Sequence, residues 1–166
     1  MILICYDGSE DARAAVAEAA ELFPSQQAVV ISVWEPFAEV VARSSVGWGL
    51  VPSAPDSEDI DQASSTQAEK LASEGADLAN KAGMSAESGA AQQMSTTGRA
   101  ILAEAERRGA GVIVMGSRGL TGLKSMLLGS VSHDVIQHAD RTVVVVPSAA
   151  VAASRADEVR RAASES

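Results

Sequence analysis

The chain has 166 residues, with 22 acidic against 13 basic side chains and a formal charge of −9; this balance repels nucleic-acid backbones and anionic membrane surfaces and sets both aside as main partners. Composition is 46% hydrophobic but only 3% aromatic, so the core is expected to consist of Val, Ile, Leu, Ala and Met, a mix suited to one domain with a parallel sheet covered by helices. No stretch approaches the ~18 consecutive apolar residues of a membrane span, and the first apolar run has no basic region before it, so no secretory signal is expected.

Met1 to Tyr6 is a short apolar run ended by Asp7-Gly8-Ser9, the pattern of a strand buried on both faces and followed by a turn. Cys5, the single cysteine, excludes an internal disulfide, fits a reducing cytoplasm, and in this run reads as a buried, inert thiol. Ser9 is placed to cap a helix with Glu10 and Asp11 in its first turn. Ala12, Ala15, Val16, Ala19, Leu22 and Phe23 follow at helical spacing until Pro24.

Ala28 to Trp34 is a second β-branched run. Pro36, Gly47, Gly49, Pro52 and Pro55 then break up a segment without sustained period, so a long loop is expected from about Pro36 to Glu58, a lid or partner surface carrying Trp48. Helical spacing resumes at Ile60, Ala63, Gln67, Leu71, Leu78 and Ala82 and ends near Gly83. Met84 to Met94 is diluted by Ala and Gly and is assigned a strand because the alternation of elements asks for one. Thr97 is expected to cap a helix carrying Ile101, Leu102 and Ala105, closed by Arg107, Arg108 and Gly109.

Val112 to Met115 is the next buried strand. A glycine-rich loop leads from it to a helix from about Val131 to His138, with Val131, Val135 and Ile136 inward. Thr142 to Val146 closes the sheet before Pro147, and the Ala-rich, charged residues 148–166 are expected to be flexible or a frayed helix. Strand and helix alternate throughout, which predicts a parallel sheet with right-handed crossovers.

The loop has glycines at 116, 119, 122 and 129 and ends at Ser130, where a helix begins. Glycine lets backbone N–H groups approach a phosphate without a Cβ in the way, and a helix N-terminus adds the positive end of its dipole. An anion site follows. A P-loop is absent, because Lys124 is preceded by Leu123. G-x-G-x-x-G is also absent, since Gly47 and Gly49 lead to Pro52, and Gly109 and Gly111 lead to Val114. Arg118 and Lys124 sit where they can neutralise phosphate charge or face solvent. His133 and His138 miss the i,i+4 spacing of metal ligands and read as surface or core residues.

Gly116, Gly119, Gly129 and Ser130 fit the pattern G-x2-G-x9-G-[ST], which resembles the nucleotide-binding members of the universal stress protein family. MGSRGLTGLKSMLLGSVSHDVIQHADRTVVVVP resembles that family's closing strand-loop-helix-strand, and ILICYDGSEDARAAVAEA its first strand and helix, with Asp7 at the expected place. The likeness spans about residues 1–147 as a single domain.

The resemblance implies a Rossmann-like α/β fold of the adenine nucleotide alpha hydrolase type, a five-stranded parallel sheet in order 3-2-1-4-5 with helices on both faces. The ligand would lie at the switch point between strands 1 and 4. It further implies that Asp7, beside Gly8 and Ser9, holds the ribose or a divalent cation such as Mg2+, that backbone near Val33 meets the adenine edge, and that Gly116, Ser117, Arg118, Gly119, Gly129 and Ser130 hold phosphates, completed by Val131 and Ser132, with Met115 also among the nucleotide-binding residues.

ATP is the expected ligand, with Mg2+, ahead of AMP or cyclic AMP. No Ser-His-Asp constellation or G-x-S-x-G elbow occurs, and no evident base stands near the loop. A cytoplasmic, nucleotide-dependent stress-response regulator therefore ranks first, and a weak ATPase second. An interaction module of the same fold without the ligand ranks third. The family also implies a homodimer through the strand at 142–147, whose hydrophobic edge needs covering.

Overall fold

The computed structural model describes residues 1–44, 57–120 and 128–164. In chain order the elements are β1 (Ile2–Cys5), α1 (Glu10–Leu22), β2 (Gln27–Trp34), α2 (Phe37–Ser44), α3 (Ser57–Lys81), β3 (Ser85–Gln92), α4 (Thr97–Arg107), β4 (Val112–Gly116), α5 (Ser130–His138), β5 (Thr142–Val146) and α6 (Ala149–Ser164). The strands form one sheet in order β3-β2-β1-β4-β5, every neighbouring pair parallel. This is the architecture that the family resemblance implied, and the strand-helix alternation that pointed to a parallel sheet reflects crossovers that carry a helix back over the sheet.

Successive strand residues point to opposite faces, and both faces are covered. Ile2, Ile4, Val30 and Val114 pack beneath α1 and α3 with Ala15, Ala19, Ala76 and Ala79. Leu3, Val29, Ile31 and Ile113 pack on the other side with Ile101 and Ala105 of α4 and Val135 of α5. The short apolar runs at Met1 and Val112 are continuous because both of their faces are buried.

On the first face the helices come close because their contact residues are small. The buried stripe of α3 is Ala68, Ala72, Gly75, Ala76 and Ala79, whereas the expected stripe of Ile60, Ala63, Gln67 and Ala82 is not buried. Leu71 and Leu78 flank the contact, partly buried. A Cβ on Gly75 would lie 2.7 Å from Val30 Cγ1 and 2.8 Å from Tyr6 Cγ; bulk at the centre of the stripe would push α3 off the sheet.

Three further expectations are corrected. Phe37–Ser44, assigned to the long loop, is the helix α2, whose Phe37 N–H donates to Asp61 Oδ1 of α3 at 2.6 Å. Ser57 and Glu58 already belong to α3, and the rest of that loop, Trp48 included, lies outside the described residues. The cap of α4 is Thr96 rather than Thr97: its Oγ1 accepts from Arg99 N–H and donates to Asp134 Oδ2 of α5. Ile136 is 46% exposed, because α5 turns Ser132 and Val135 to the sheet instead. Residues 149–164 form α6, with Val151 buried near its start.

Candidate functional site

β1 is the shortest strand and lies in the middle of the sheet. It pairs with β2 only as far as Cys5 and Ile31, and Tyr6 N–H closes the ladder on Ile31 C=O at 2.8 Å. Beyond that point β2 runs on through Ser32, Val33 and Trp34, and β4 runs on through Met115 and Gly116 beside β5. The early end of β1 leaves a notch at the carboxyl ends of the strands, at the switch point of the winding. A cleft of about 430 Å³ occupies it, within the range of small-molecule sites.

The floor is Cys5 and Tyr6. Burial, and secondarily the Asp7 carboxylate, pushes the Cys5 thiol up to about 12, so it stays protonated and unreactive at neutral pH. Tyr6 is held from below, its hydroxyl donating to Glu74 Oε1 at 2.7 Å while Arg13 pairs with the same oxygen at 2.6 Å.

At one end of the cleft stand Asp7 and the glycine loop. Gly8, at φ +81°, makes the tight turn that only glycine adopts without strain. Asp7 Oδ1 accepts from Ser9 N–H at 3.0 Å, so one oxygen braces the turn. Asp7 Oδ2 is the nearest atom to Gly119, 2.7 Å from where a Cβ would be. The carboxylate is thus both a turn cap and a wall of the cleft. Gly129 occupies the cap position of α5 without a side chain to cap it, and the first bond of that helix runs from His133 N–H to Gly129 C=O. The N–H groups of Ser130, Val131 and Ser132 therefore have no intrahelical acceptor. All three residues line the cleft, at the positive end of the helix dipole.

The described part of the loop is pinned from behind by Asp11, which the sequence presents only as an acid in the first turn of α1. Its side chain is 7% exposed. Oδ2 accepts from Ser117 Oγ at 2.7 Å and from Arg118 N–H at 3.1 Å, and the Arg118 guanidinium lies 3.7 Å away. Ser148, which leads into α6, adds its hydroxyl and its backbone N–H to the same carboxylate. Burial raises the Asp11 pKa, but the hydrogen bonds from Ser117 and Ser148 and the Arg118 charge outweigh it and leave the group below its usual value. The two ends of the loop are joined directly: Gly129 N–H donates to Ser117 C=O at 2.8 Å, and Ser132 Oγ donates to Ser117 and Gly129 C=O.

These contacts sort the expected site residues. Asp7, Val33, Met115, Gly116, Arg118 and Gly119 line the cleft, as do Gly129, Ser130, Val131 and Ser132. Gly8, Ser9 and Ser117 do not. Gly8 packs under Leu71 at the turn; Ser9 caps α1 by accepting from Ala12 N–H; Ser117 is fully buried on Asp11. Gly116 also has a structural reason, since a Cβ there would meet the Asp11 carbonyl carbon at 2.8 Å. His138 sits on Asp134 at 3.0 Å. Lys124 and Gly122 lie outside the described residues.

The other end of the cleft is largely apolar, built from Ile31, Val33 and Ile101 with Ser32 and Thr97 among them. In a strand, alternate residues send N–H and C=O to opposite sides. Ile31 faces β1 and Trp34 C=O accepts from Gln93 N–H on the β3 side, so the N–H and C=O of Val33 face the side where β1 has ended. The sequence reading reached Val33 through resemblance alone and missed Thr97 and Ile101. Ile101 was legible as core, but nothing local marks a core residue as also forming a wall.

The model of the Universal stress protein family matches residues 1–147. Universal stress protein YxiE of Bacillus subtilis is 33% identical over 147 residues, 87% of this chain and 97% of that protein. Among solved structures, hypothetical protein MJ0577 of Methanocaldococcus jannaschii superposes with a TM-score of 0.70 at 22% identity, covering 88% of this chain and 94% of that one. The universal stress protein of Archaeoglobus fulgidus in complex with dAMP gives 0.55 at 23% identity over 87% and 95%. At these identities the two structures bear on the fold.

Proposed function

Since this chain belongs to the universal stress protein family, we propose that it is an ATP-binding regulatory protein of a cellular stress response, with the nucleotide in the notch beyond β1. The observation that carries this reading is the pairing of two unlike ends in one cleft. Three uncapped N–H groups at the start of α5, with Asp7 opposite, suit phosphates and a ribose hydroxyl. The open backbone edge of Val33 between Ile31 and Ile101 suits a flat heterocycle with adjacent donor and acceptor atoms. The dAMP complex of the Archaeoglobus fulgidus protein supports the nucleotide class.

Asp7 is a single carboxylate, and no group of three or more His, Cys, Asp or Glu among the described residues is placed to hold a metal. A Mg2+ ion would therefore be held chiefly by the phosphates, with Asp7 as the protein's contribution; it would screen phosphate charge in a protein of net charge −9.

Calorimetric titration of the purified protein with ATP, AMP and cyclic AMP, with and without Mg2+, tests the reading. ATP should bind most tightly, and Gly119→Val, whose side chain displaces Asp7 Oδ2 and enters the cleft, should lose at least tenfold in affinity. Failure of all three ligands to bind at millimolar concentration would overturn it. Phosphate release followed in the same samples should remain slow, because the carboxylate that lines the cleft beside the loop, Asp7, has one oxygen committed to the Ser9 N–H.

We further propose a homodimer through β5. It is an edge strand, and Val143, Val144 and Val145 along it are only partly buried, a hydrophobic edge that calls for a partner. A monomer in light scattering at micromolar concentration would count against this.

A further inference from the structure

At the base end of the cleft, one buried amide decides which way a hydroxyl proton points. Gln93, just beyond β3, is 4% exposed. Its Nε2 donates to the Glu35 carboxylate at 3.0 Å and to Ser95 C=O at 3.3 Å. Both partners only accept, so the amide cannot turn over, and its Oε1 is committed to face α4. Thr97 Oγ1 lies 2.6 Å from that oxygen and must spend its single proton there. What remains on the Thr97 hydroxyl is lone pairs. Thr97 lines the cleft in company with Val33 and Ile101.

We infer that Thr97 is a specificity-determining residue, its hydroxyl fixed as an acceptor by Gln93 so that the cleft selects a purine with an amino group at position 6 over one with an oxygen there. The inference rests on the nucleotide reading of the same cleft. An exocyclic amino group offers two protons, one for the Val33 carbonyl and one for Thr97. A 6-oxo purine offers an oxygen to both, lone pair against lone pair. A hydroxyl free to rotate would serve either base; one locked by a neighbouring amide discriminates.

Adenosine and inosine triphosphates are the probes: they differ at position 6 and, with it, at N1, which accepts in the 6-amino base and carries a proton in the 6-oxo base, where it opposes the Val33 N–H in wild type and variants alike. In calorimetric titrations the wild-type protein should prefer the adenosine nucleotide by more than tenfold. Thr97→Val removes the acceptor and should reduce that ratio by about tenfold, while Thr97→Ser should keep it. Gln93→Met leaves Thr97 in place but frees its proton to turn into the cleft, so inosine triphosphate should bind more tightly than it does to the wild type; this arm stands even where Thr97→Val proves unstable.

A ratio in Thr97→Val within twofold of wild type, with adenosine triphosphate still bound, overturns the role of Thr97 and leaves the nucleotide site intact. A wild-type protein that binds neither nucleotide overturns both.

Discussion

The two ends of the cleft are held in shape by different chemistry. The loop end rests on a charge: Asp11 gathers Ser117, Arg118 and Ser148 around one buried carboxylate. The base end rests on a neutral amide, Gln93, between Glu35, Ser95 and Thr97. A charged anchor binds its partners strongly but leaves costly orphans when it is removed, and it answers to pH. A neutral anchor contributes less to stability and instead fixes which face of a hydroxyl the ligand meets.

The largest way to break this contrast is Asp11→Ala. Ser117 Oγ, the Arg118 N–H and the Arg118 charge would lose their shared partner, and urea unfolding at pH 7 should show a loss of about 3–5 kcal/mol, with nucleotide affinity falling alongside. The pH dependence has a definite sign. A carboxylate whose pKa is lower folded than unfolded contributes stability that is fully present above its unfolded value of about 3.9 and is lost as pH falls through the lower folded value. Wild-type protein should therefore lose more stability than Asp11→Asn between about pH 5 and pH 2; parallel stability curves for the two would contradict the charged anchor.

The next effect separates two glycines of one motif. Gly116→Ala drives a Cβ against the Asp11 backbone, which cannot move without α1, and should cost about 1–3 kcal/mol of stability. Gly119→Ala meets only the end of the Asp7 side chain. It should melt within a few degrees of wild type yet weaken nucleotide binding measurably. Equal melting temperatures for the two variants would remove the distinction.

Ser130→Asp sharpens the same end by charge alone. At the first position of α5 an acid favours the helix by about 0.3–1 kcal/mol, whereas a carboxylate among the proposed phosphate donors should abolish nucleotide binding. Stability raised and binding lost, read by thermal melts and calorimetry, is the expected pair of results; undiminished binding would place the phosphates elsewhere. The smallest effect is at the floor. With the Cys5 pKa pushed up to about 12, alkylation by iodoacetamide at pH 8 should run far slower than for free cysteine, and fast labelling would contradict the raised pKa.

Much of the fold was legible because it is local. Strands with both faces buried read as continuous apolar runs at Ile2–Cys5 and Val112–Gly116, and Asp7-Gly8-Ser9 reads as turn and cap in place. β3, with its polar and small residues, was legible only through the alternation around it. The face of α3 was misread because Ile60, Leu71 and Leu78 drew the expected stripe toward the larger side chains, whereas the positions against the sheet are Ala and Gly, small enough for close approach. α2 was hidden behind Pro36, although a proline just before a helix is compatible with its start. In the site, glycine spacing revealed the loop, but not that Gly116 and Ser117 serve its anchoring. Asp11 and Ser117 are 106 residues apart, and Glu35 and Gln93 are 58 apart. No local pattern carries such pairings.

The early end of β1 has a consequence for how this protein can be specific at all. Where the strand stops, the exposed flank of β2 is equivalent to a ladder with its next rung missing, and whatever fits there must be planar and must present its donor and acceptor side by side, as a peptide unit does. Lengthening β1 by two residues would supply that rung from the chain itself and fill the notch with protein.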